Sequence, residues 1–190
     1  PVRLGTMFSG TDVPAVAFRC VLQSIAQLGA THGREVAMEH VFSCESVPGK
    51  QKWIKAMPRP PRRLYSDARE LENAMAWCVI AGALVEVESV DVLVAGFSCV
   101  SMSDQNKDRL RFRQAMVDGD LANAGETGKT LMALLSYIEK TSRKPWGILL
   151  ENVRGLVSLV NAADRPIDTV HKRLQAYGYE THHCLVNSSE

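Results

Sequence analysis

One side chain in this sequence combines nucleophilic chemistry with a position just after a predicted strand. Val92–Ala95 is a short apolar run typical of a buried strand, and Gly96 and then Cys99 follow it. Open α/β sheets bind ligands and carry out chemistry at the carboxyl edge of their strands. A cysteine taken alone is more often a small buried residue, so the interpretation of Cys99 depends on the other strand ends.

Acidic residues lie at or just after the ends of three other predicted strands, and these residues are Glu45, Asp67 and Glu151, the last with Asn152 beside it. An acid after the second strand of a nucleotide-binding fold can accept both hydroxyls of a ribose. Each acid alone is also compatible with a solvated loop. Their order along one predicted sheet edge, together with Cys99, favours a nucleoside site next to a thiol.

A turn of small and polar residues joins the first predicted strand to the first predicted helix, and it consists of Phe8, Ser9, Gly10, Thr11 and Asp12. Asp12 suits the N-cap of the helix that follows, and Pro14 suits its first turn. Such a turn directs backbone N–H groups and a helix N-terminus at whatever lies above the sheet.

A long polar segment follows the cysteine, and we predict a loop from Ser101 to Ala124. It carries cations at every second position, namely Lys107, Arg109, Arg111 and Arg113. A loop of this length is usually functional or mobile. The charges suit either solvation or contact with phosphates.

The alternation of strand and helix patterns predicts one α/β domain over residues 1–190, with a doubly wound, mostly parallel sheet and right-handed crossovers. The predicted strands are 2–8, 40–45, 64–65, 92–95, 146–151 and 179–186. The predicted helices are 13–28, 47–56, 71–87, 127–138 and 164–177. Gly29 is predicted to end the first helix, and Ala30–Glu35 to form a polar connection.

The composition excludes several classes of protein. The five cysteines are widely spaced and include no CxxC pair, which indicates a reducing compartment and argues against a disulfide framework or a zinc cluster. No apolar run reaches the length of a membrane span, and we expect no membrane partner. Because the net charge is only +1, any nucleic-acid contact must come from local patches.

The motifs at these strand ends resemble those of the cytosine-C5 DNA methyltransferases. Gly96-Phe-Ser-Cys99 with Ser101 and Ser103 is similar to the family's G-F-P-C-x-x-x-S motif, and Glu151-Asn-Val153 with Gly155-Leu156 is similar to E-N-V-x-G-L. Phe8-Ser-Gly10 resembles the first motif, Ser43-Cys-Glu45 the second and Ser66-Asp-Ala68 the third. The resemblance covers nearly the whole chain in family order.

The resemblance implies a Rossmann-like fold that binds S-adenosyl-L-methionine and methylates cytosine in double-stranded DNA. Cys99 would attack C6 of a flipped base, with Glu151 and Asn152 as the other catalytic residues. The residues implied to bind the cofactor are Phe8, Ser9, Gly10, Thr11, Asp12, Glu45, Ser46, Asp67, Ala68, Gly96 and Leu131. Those implied to contact nucleic acid are Ser101, Ser103, Arg109, Arg111 and Arg113.

The sequence departs from the family at four points. Thr11-Asp12 stands where further glycines are usual, Ser98 replaces the proline before the cysteine, and Ser46 replaces an aromatic residue that stacks on adenine. The Q-x-R-x-R segment and the target-recognition region are expected after Asn187. We therefore expect a fragment that is weak alone and depends on a further carboxyl-terminal segment or chain.

Three other functions are also compatible with the sequence. Gly125-Glu-Thr-Gly-Lys-Thr130 resembles part of a phosphate-binding loop, although Asn123 stands where that pattern needs a glycine. The same cysteine chemistry serves RNA cytosine methylation equally well. A non-catalytic regulator or scaffold could also keep the fold. A methyltransferase of this kind is expected in the nucleus of a eukaryote, or in the cytoplasm if the protein is bacterial or viral.

Overall fold

The computed structural model describes residues 1–28 and 37–186, which form two compact units. The first unit comprises residues 1–97 and 136–151, and the second comprises residues 98–135 and the segment from Asn152 onward. The predicted helix end at Gly29 and the connection Ala30–Glu35 lie outside the described residues. The assignment of one catalytic domain to residues 1–190 stays a prediction.

The first unit is built on a seven-stranded, mostly parallel sheet, which confirms the predicted α/β class. The strand order is β5-β4-β3-β2-β1-β6-β7. All pairs are parallel except β3 with β4 and β4 with β5. The strands are β1 Val2–Met7, β2 Met38–Cys44, β3 Arg63–Tyr65, β4 Met75–Cys78, β5 Ala83–Glu86, β6 Val92–Ala95 and β7 Gly147–Leu150.

Four of the five predicted helices are confirmed with small shifts at their ends. The α-helices are α1 Val13–Gln27, α2 Pro48–Ala56, α3 Arg109–Val117, α4 Gly125–Lys140 and α5 Pro166–Ala176, and short 3₁₀ turns span residues 68–72, 121–123 and 154–156. Among the described residues, no helix combines the length and the apolar character that crossing a bilayer requires.

The central strands are apolar because both faces of the sheet are covered. On one face, Leu4 and Val94 pack with Ala15 of α1 in a buried cluster. On the other face, the ring of Phe42 makes an edge contact with Tyr137, with 5.5 Å between the ring centroids. Gly5 is required beneath this ring, because an added Cβ would lie 2.8 Å from Phe42.

The sheet has a topological switch point between β1 and β6. The chain places β2 and β3 on one side of β1, and later places β6 and β7 on the other side. Open α/β sheets bind ligands in the crevice outside the strand ends at such a point. The turn after β1 and Gly96 after β6 flank this crevice.

The predicted helix over residues 71–87 is wrong, because most of this segment is the antiparallel hairpin of β4 and β5. Ala76 and Cys78 are buried, whereas Trp77 between them is 44% exposed. Apolar side chains on both faces hid the two-residue period of a strand. Gly82, whose φ is +62°, allows the tight turn between the strands.

Two further predictions are wrong. The segment Ser101–Ala124 is not a continuous loop, since α3 and a 3₁₀ turn lie within it. The last predicted strand, Tyr179–Val186, does not form among the described residues, and Leu185 and Val186 there are 65% and 86% exposed. An alternating pattern does not make a strand unless a neighbouring strand supplies backbone partners.

Candidate active site

The turn between β1 and α1 has a strained backbone. Phe8, Gly10 and Asp12 have φ angles of +55°, +59° and +63°. Two of these three residues are not glycine, and each such residue costs about 1 kcal/mol or more in this conformation. Backbone strain of this kind clusters at binding sites and persists only where surrounding contacts hold it.

Hydrogen bonds from β2 hold this turn. Glu45, just after β2, accepts a hydrogen bond from the Gly10 N–H at 2.9 Å. The Ser9 and Ser43 hydroxyl oxygens lie 2.6 Å apart. An added Cβ on Gly10 would meet nothing within 4 Å, so the space beside the middle of the turn is open, while Thr11 is exposed next to it.

Asp12 is fully buried, so its side chain points away from solvent, and its place among the cofactor-binding residues stays a prediction. Its Oδ1 accepts a hydrogen bond from the Thr6 hydroxyl at 2.7 Å. Burial raises the pKa of Asp12 to about 6, against the opposing effect of the Thr6 hydrogen bond. Asp12 is the N-cap of α1 by position, but its carboxylate makes no capping hydrogen bond.

Glu45 connects the turn to the start of α2. Its two carboxylate oxygens accept hydrogen bonds from the Gly10 N–H and from the Val47 N–H, the latter at 2.8 Å. Only 6% of the residue is exposed. Carboxylate oxygens retain further lone pairs for a ligand hydroxyl. Ser46 is exposed directly beside it.

Asp67, after β3, is paired with Arg69, a residue that the sequence analysis did not single out. The Asp67 carboxylate accepts hydrogen bonds from the Arg69 backbone N–H at 2.9 Å and from its guanidinium at 2.6 Å. These bonds from Arg69 lower the pKa of Asp67. The neighbouring Ala68 is buried. The i, i+2 spacing of opposite charges was the available signal for this pair.

Glu151 and Gly96 lie together at the ends of β7 and β6. The Glu151 N–H donates to the Ala95 carbonyl at 3.0 Å. A Cβ built on Gly96 would lie 3.4 Å from Glu151 Oε2 and 3.9 Å from the Phe8 carbonyl oxygen. Glu151 is exposed, so its carboxylate is available at the strand edge predicted to carry out chemistry.

The residues at this edge fit S-adenosylmethionine. The cofactor presents ribose hydroxyls, an adenine amine and an amino-acid group, which all need hydrogen-bonding partners. Glu45 and Asp67 supply acceptors at two adjacent strand ends, and the space beside Gly10 is open. These acceptors suit the chemistry of the cofactor, and their role in binding it stays a prediction.

In the second unit, the backbone before Cys99 is held on both sides. The Ser98 N–H donates to Thr130 Oγ1 at 3.0 Å, and Asn152 Nδ2 donates to the Ser98 carbonyl at 3.5 Å. A proline at position 98 has no N–H and could not make the first bond. A hydrogen bond from the Ser98 N–H therefore restrains the backbone at the position where a proline ring would restrict it. Cys99 itself is half-buried and has a free thiol.

Two predicted nucleic-acid contacts, Ser101 and Arg113, are buried, with 2% and 4% exposure. The Ser101 N–H donates to Thr127 Oγ1 at 3.3 Å. Arg113 donates to the Met102 carbonyl through Nε at 3.2 Å and to Asp104 through Nη2 at 2.7 Å. Both residues therefore hold the loop after Cys99, and their contact with nucleic acid stays a prediction.

Arg111 is the most accessible arginine of α3, and its guanidinium lies 5.2 Å from the centre of the Phe112 ring. It lines an open cavity of about 400 Å³ together with Asn106 and Lys129. Arg109 and Ser103 are half-buried. The cations of this helix thus have unequal access to solvent, although their two-residue spacing is regular.

The segment that resembles a phosphate-binding loop belongs to α4. Gly125–Thr130 forms the first turns of this helix, and a 3₁₀ turn at Leu121–Asn123 precedes it. The phosphate-binding pattern requires a strand directly before the loop, and none stands there among the described residues. Leu131, predicted near the cofactor, is buried in the same helix.

Comparison with known proteins identifies the family. The model of the C-5 cytosine-specific DNA methylases matches residues 29–190. This chain belongs to that family. It is 37% identical over 153 residues to a DNA (cytosine-5-)-methyltransferase DMT5 of Cryptococcus neoformans, a match that covers 80% of the chain and 6% of the relative.

Other methylases show the same relationship at lower identity. A DMT5 methyltransferase of Verticillium dahliae is 33% identical over 56% of the chain and 4% of its own length. The type II methyltransferase M.NgoBV of Neisseria gonorrhoeae is 28% identical over 85% of the chain and 33% of its own length. The chain thus spans a small part of the fungal methylases and a third of the bacterial one. The family match begins after the turn in which Thr11 and Asp12 depart from the glycine pattern.

Proposed function

We propose that this chain is the cofactor-binding and catalytic part of an enzyme that transfers a methyl group from S-adenosylmethionine to C5 of cytosine in DNA. The observation that carries the proposal is the order of groups at one sheet edge. Glu45 and Asp67 follow the adjacent parallel strands β2 and β3, Glu151 follows β7, and β6, which pairs with β7, leads into Cys99. Membership of the methylase family supports the same chemistry.

Residues of the first unit hold the cofactor in this proposal. S-adenosylmethionine supplies an electrophilic methyl group on a sulfonium centre. Glu45 accepts the ribose hydroxyls, and Asp67 with the Ala68 backbone recognises the adenine. Arg69 gives up part of its bond to Asp67 at little cost, because an exposed ion pair contributes about 1 kcal/mol or less. The turn Phe8–Thr11, Ser46 and Gly96 complete the proposed contacts of this unit, and Leu131, which belongs to the second unit, is also proposed to contact the cofactor.

Cys99 is the proposed nucleophile. Its thiolate forms a bond to C6 of the cytosine ring, and the displaced electron pair makes C5 nucleophilic. Glu151 holds the N3 edge of the ring and shares a proton with it as charge develops. After C5 has gained the methyl group, a base removes the C5 proton and the C6–S bond breaks, which restores Cys99. Asn152 positions the segment before the nucleophile through the Ser98 carbonyl.

The proposed substrate is double-stranded DNA with the target cytosine turned out of the stack. Arg111 is the best-placed contact for phosphate on α3, with Arg109 and Ser103 beside the same loop. Target recognition is assigned to a segment or chain beyond the strands described here. In a eukaryote, this activity would be exercised in the nucleus.

Methyl transfer by the intact protein tests the proposal directly. Labelled S-adenosylmethionine is offered with a DNA duplex and with an RNA of the same sequence. We expect label in DNA cytosine only, abolished by Cys99→Ser and retained by Cys20→Ser, which changes an exposed free cysteine. Label in RNA alone would favour an RNA methyltransferase, and no transfer together with no cofactor binding would favour a non-catalytic regulator.

A further inference from the structure

The buried pair Asp12 and His40 lies beneath the cofactor turn and has no role in the steps above. Asp12 is 0% exposed and His40 is 7% exposed. Asp12 Oδ2 and His40 Nε2 lie 3.4 Å apart and face each other. Within residues 1–28 and 37–186, these two atoms and His40 Nδ1 are three of the four buried side-chain polar atoms that lack a hydrogen-bond partner.

A bulge in β2 brings His40 to this position. The pairing of β1 with β2 shifts between Leu4, opposite His40, and Gly5, opposite Phe42, so that Val41 is the extra residue. In a regular strand, His40 and Ser43 would point to opposite faces, because they are three residues apart. The extra residue turns both toward the first turn of α1. The Ser43 hydroxyl also lowers the pKa of Asp12, against the larger effect of burial.

Contacts of Asp12 with Thr6 and Ser9 support a backbone conformation that usually requires glycine. Asp12 has a φ of +63°, in a region that residues other than glycine, asparagine and aspartate rarely adopt. The Thr6 hydroxyl holds Oδ1 at 2.7 Å, and the Asp12 N–H donates to the Ser9 carbonyl at 2.8 Å. The carboxylate thus anchors the turn from below.

We propose that Asp12 is a positioning residue whose buried charge favours the sulfonium form of the cofactor over its demethylated product. This inference rests on the proposed function. S-adenosylmethionine carries a positive charge at sulfur, and S-adenosylhomocysteine does not. A negative charge enclosed beneath the turn attracts the first more strongly, because Coulomb interactions are weakly screened in the protein interior.

The charged and titratable groups around the pair come from three elements. Arg19 of α1 acts on His40 and, with burial as the larger cause, lowers the pKa of His40 to about 4. Glu45 after β2 bonds the same turn through Gly10, and the Thr6 and Ser43 hydroxyls face Asp12 from β1 and β2. His40 therefore stays neutral above pH 5, and Asp12 supplies the change of charge near pH 6.

Calorimetric titration of the intact protein with both cofactor forms between pH 5 and pH 7.5 tests the inference. We expect the affinity for S-adenosylmethionine to rise about three- to tenfold over this range, since a shift of one pKa unit corresponds to a tenfold change. The affinity for S-adenosylhomocysteine should change much less. The two molecules share their amine and carboxylate. The ratio of their affinities therefore reports the effect of the sulfonium charge alone.

Substitution of Asp12 by asparagine provides the decisive comparison. Asp12→Asn retains the acceptor for Thr6 but carries no charge, and we expect its ratio of affinities to be independent of pH. Asp164→Asn, an exposed site in the second unit, is the matched control and should follow the wild type. The same pH dependence in Asp12→Asn and in the wild type would overturn the inference.

A second measurement covers the case in which Asp12→Asn does not fold. The ring carbons of His40 in the wild type, observed by NMR, should show a step near pH 6 that moves to lower pH when S-adenosylmethionine is bound. The absence of a step, or a step that does not move, would overturn the role of Asp12. Wild-type protein that binds neither molecule at any pH would instead overturn the proposed function.

Discussion

Single residues hold the segment that carries Cys99, and Gly155 shows this most clearly. A Cβ at this position would lie 1.8 Å from the Met102 carbonyl oxygen and 2.4 Å from Arg113 Nη2. Both neighbours are buried, so neither can move aside easily. The glycine of the E-N-V-x-G-L motif therefore allows the loop after Cys99 to pack directly on the chain after Asn152.

Replacing Gly155 by alanine should destabilise the protein by about 3 kcal/mol, because overpacking forces the backbone and Arg113 to shift. Thermal unfolding followed by circular dichroism measures this change. Gly49→Ala is the matched control, because an added Cβ there meets nothing within 4 Å. Alanine in α2 should be neutral or stabilising by up to about 1 kcal/mol. Equal effects of the two substitutions would contradict the packing described here.

The sequence predicts which residue types lie at the site better than it predicts where their side chains point. Cys99, Glu45 and Glu151 follow strands as expected, because a strand that ends in a polar residue is a local pattern. The inward direction of Asp12 depends on Thr6 and on the bulge that turns His40, and these are contacts between separate strands. The role of Ser98 depends on Thr130, which is distant in sequence and accepts its N–H.

Among the elements, α3 gives the most informative correction. Arginines at every second position suggested an exposed basic loop, but a helix places residues i and i+4 on the same face. Arg109 and Arg113 therefore both approach Asp104, at 3.9 and 2.7 Å. Arg111 lies elsewhere on the helix and remains exposed. One regular charge pattern thus contains a structural arginine and a candidate phosphate contact.

Arg113→Met should lower the free energy of unfolding by about 2 kcal/mol, because the Met102 carbonyl loses a buried donor. Arg113→Lys should recover part of this loss. Arg111→Met should leave stability unchanged and weaken DNA binding, with the salt slope reduced by about one. Chemical unfolding and binding titrations at several salt concentrations give both quantities. An Arg113→Met protein that is as stable as the wild type would contradict the role in holding the loop.

The prediction of helices and strands failed where both faces of an element carry apolar side chains. It also failed where pairing with a neighbouring strand decides whether a strand forms. The hairpin of β4 and β5 exposes Met75, Trp77 and Leu84 by 47%, 44% and 60%, so its alternation was not visible in the sequence. The helix α1 was predicted from apolar spacing, yet Val16 and Val21 of that pattern are 42% and 53% exposed. Periodicity thus identified the helix but not the face that packs on the sheet.

At the scale of the whole molecule, the Asp12–His40 pair links folding stability to pH. Burial raises the Asp12 pKa from 3.8 to about 6, so its contribution is fully present below pH 3.8 and is lost as pH rises through 6. Burial lowers the His40 pKa from 6.5 to about 4, so its contribution is fully present above pH 6.5 and is lost as pH falls through 4. The two dependences oppose each other over the same range.

Asp12→Asn should reveal how the stability of the fold depends on the protonation of His40. At pH 8, the variant should be more stable than the wild type, by up to about 3 kcal/mol, because it removes a buried charge. As the pH falls toward 4, its stability should decline while that of the wild type changes less. Denaturant unfolding at pH 4.5, 6 and 8 checks both trends. A constant difference between the two proteins at all three pH values would exclude this linkage.

Covalent trapping of Cys99 is the most direct measurement for the proposed chemistry. The intact protein is incubated with S-adenosylmethionine and a DNA duplex that contains 5-fluorocytosine, and the adduct is digested and analysed by mass spectrometry. Fluorine at C5 blocks the elimination step, so we expect a stable complex joined through the Cys99 sulfur. Cys184→Ser, which changes another exposed free cysteine, should form the same complex. A complex that still forms in Cys99→Ser, or none in a wild-type protein that binds both cofactor and DNA, would contradict the account.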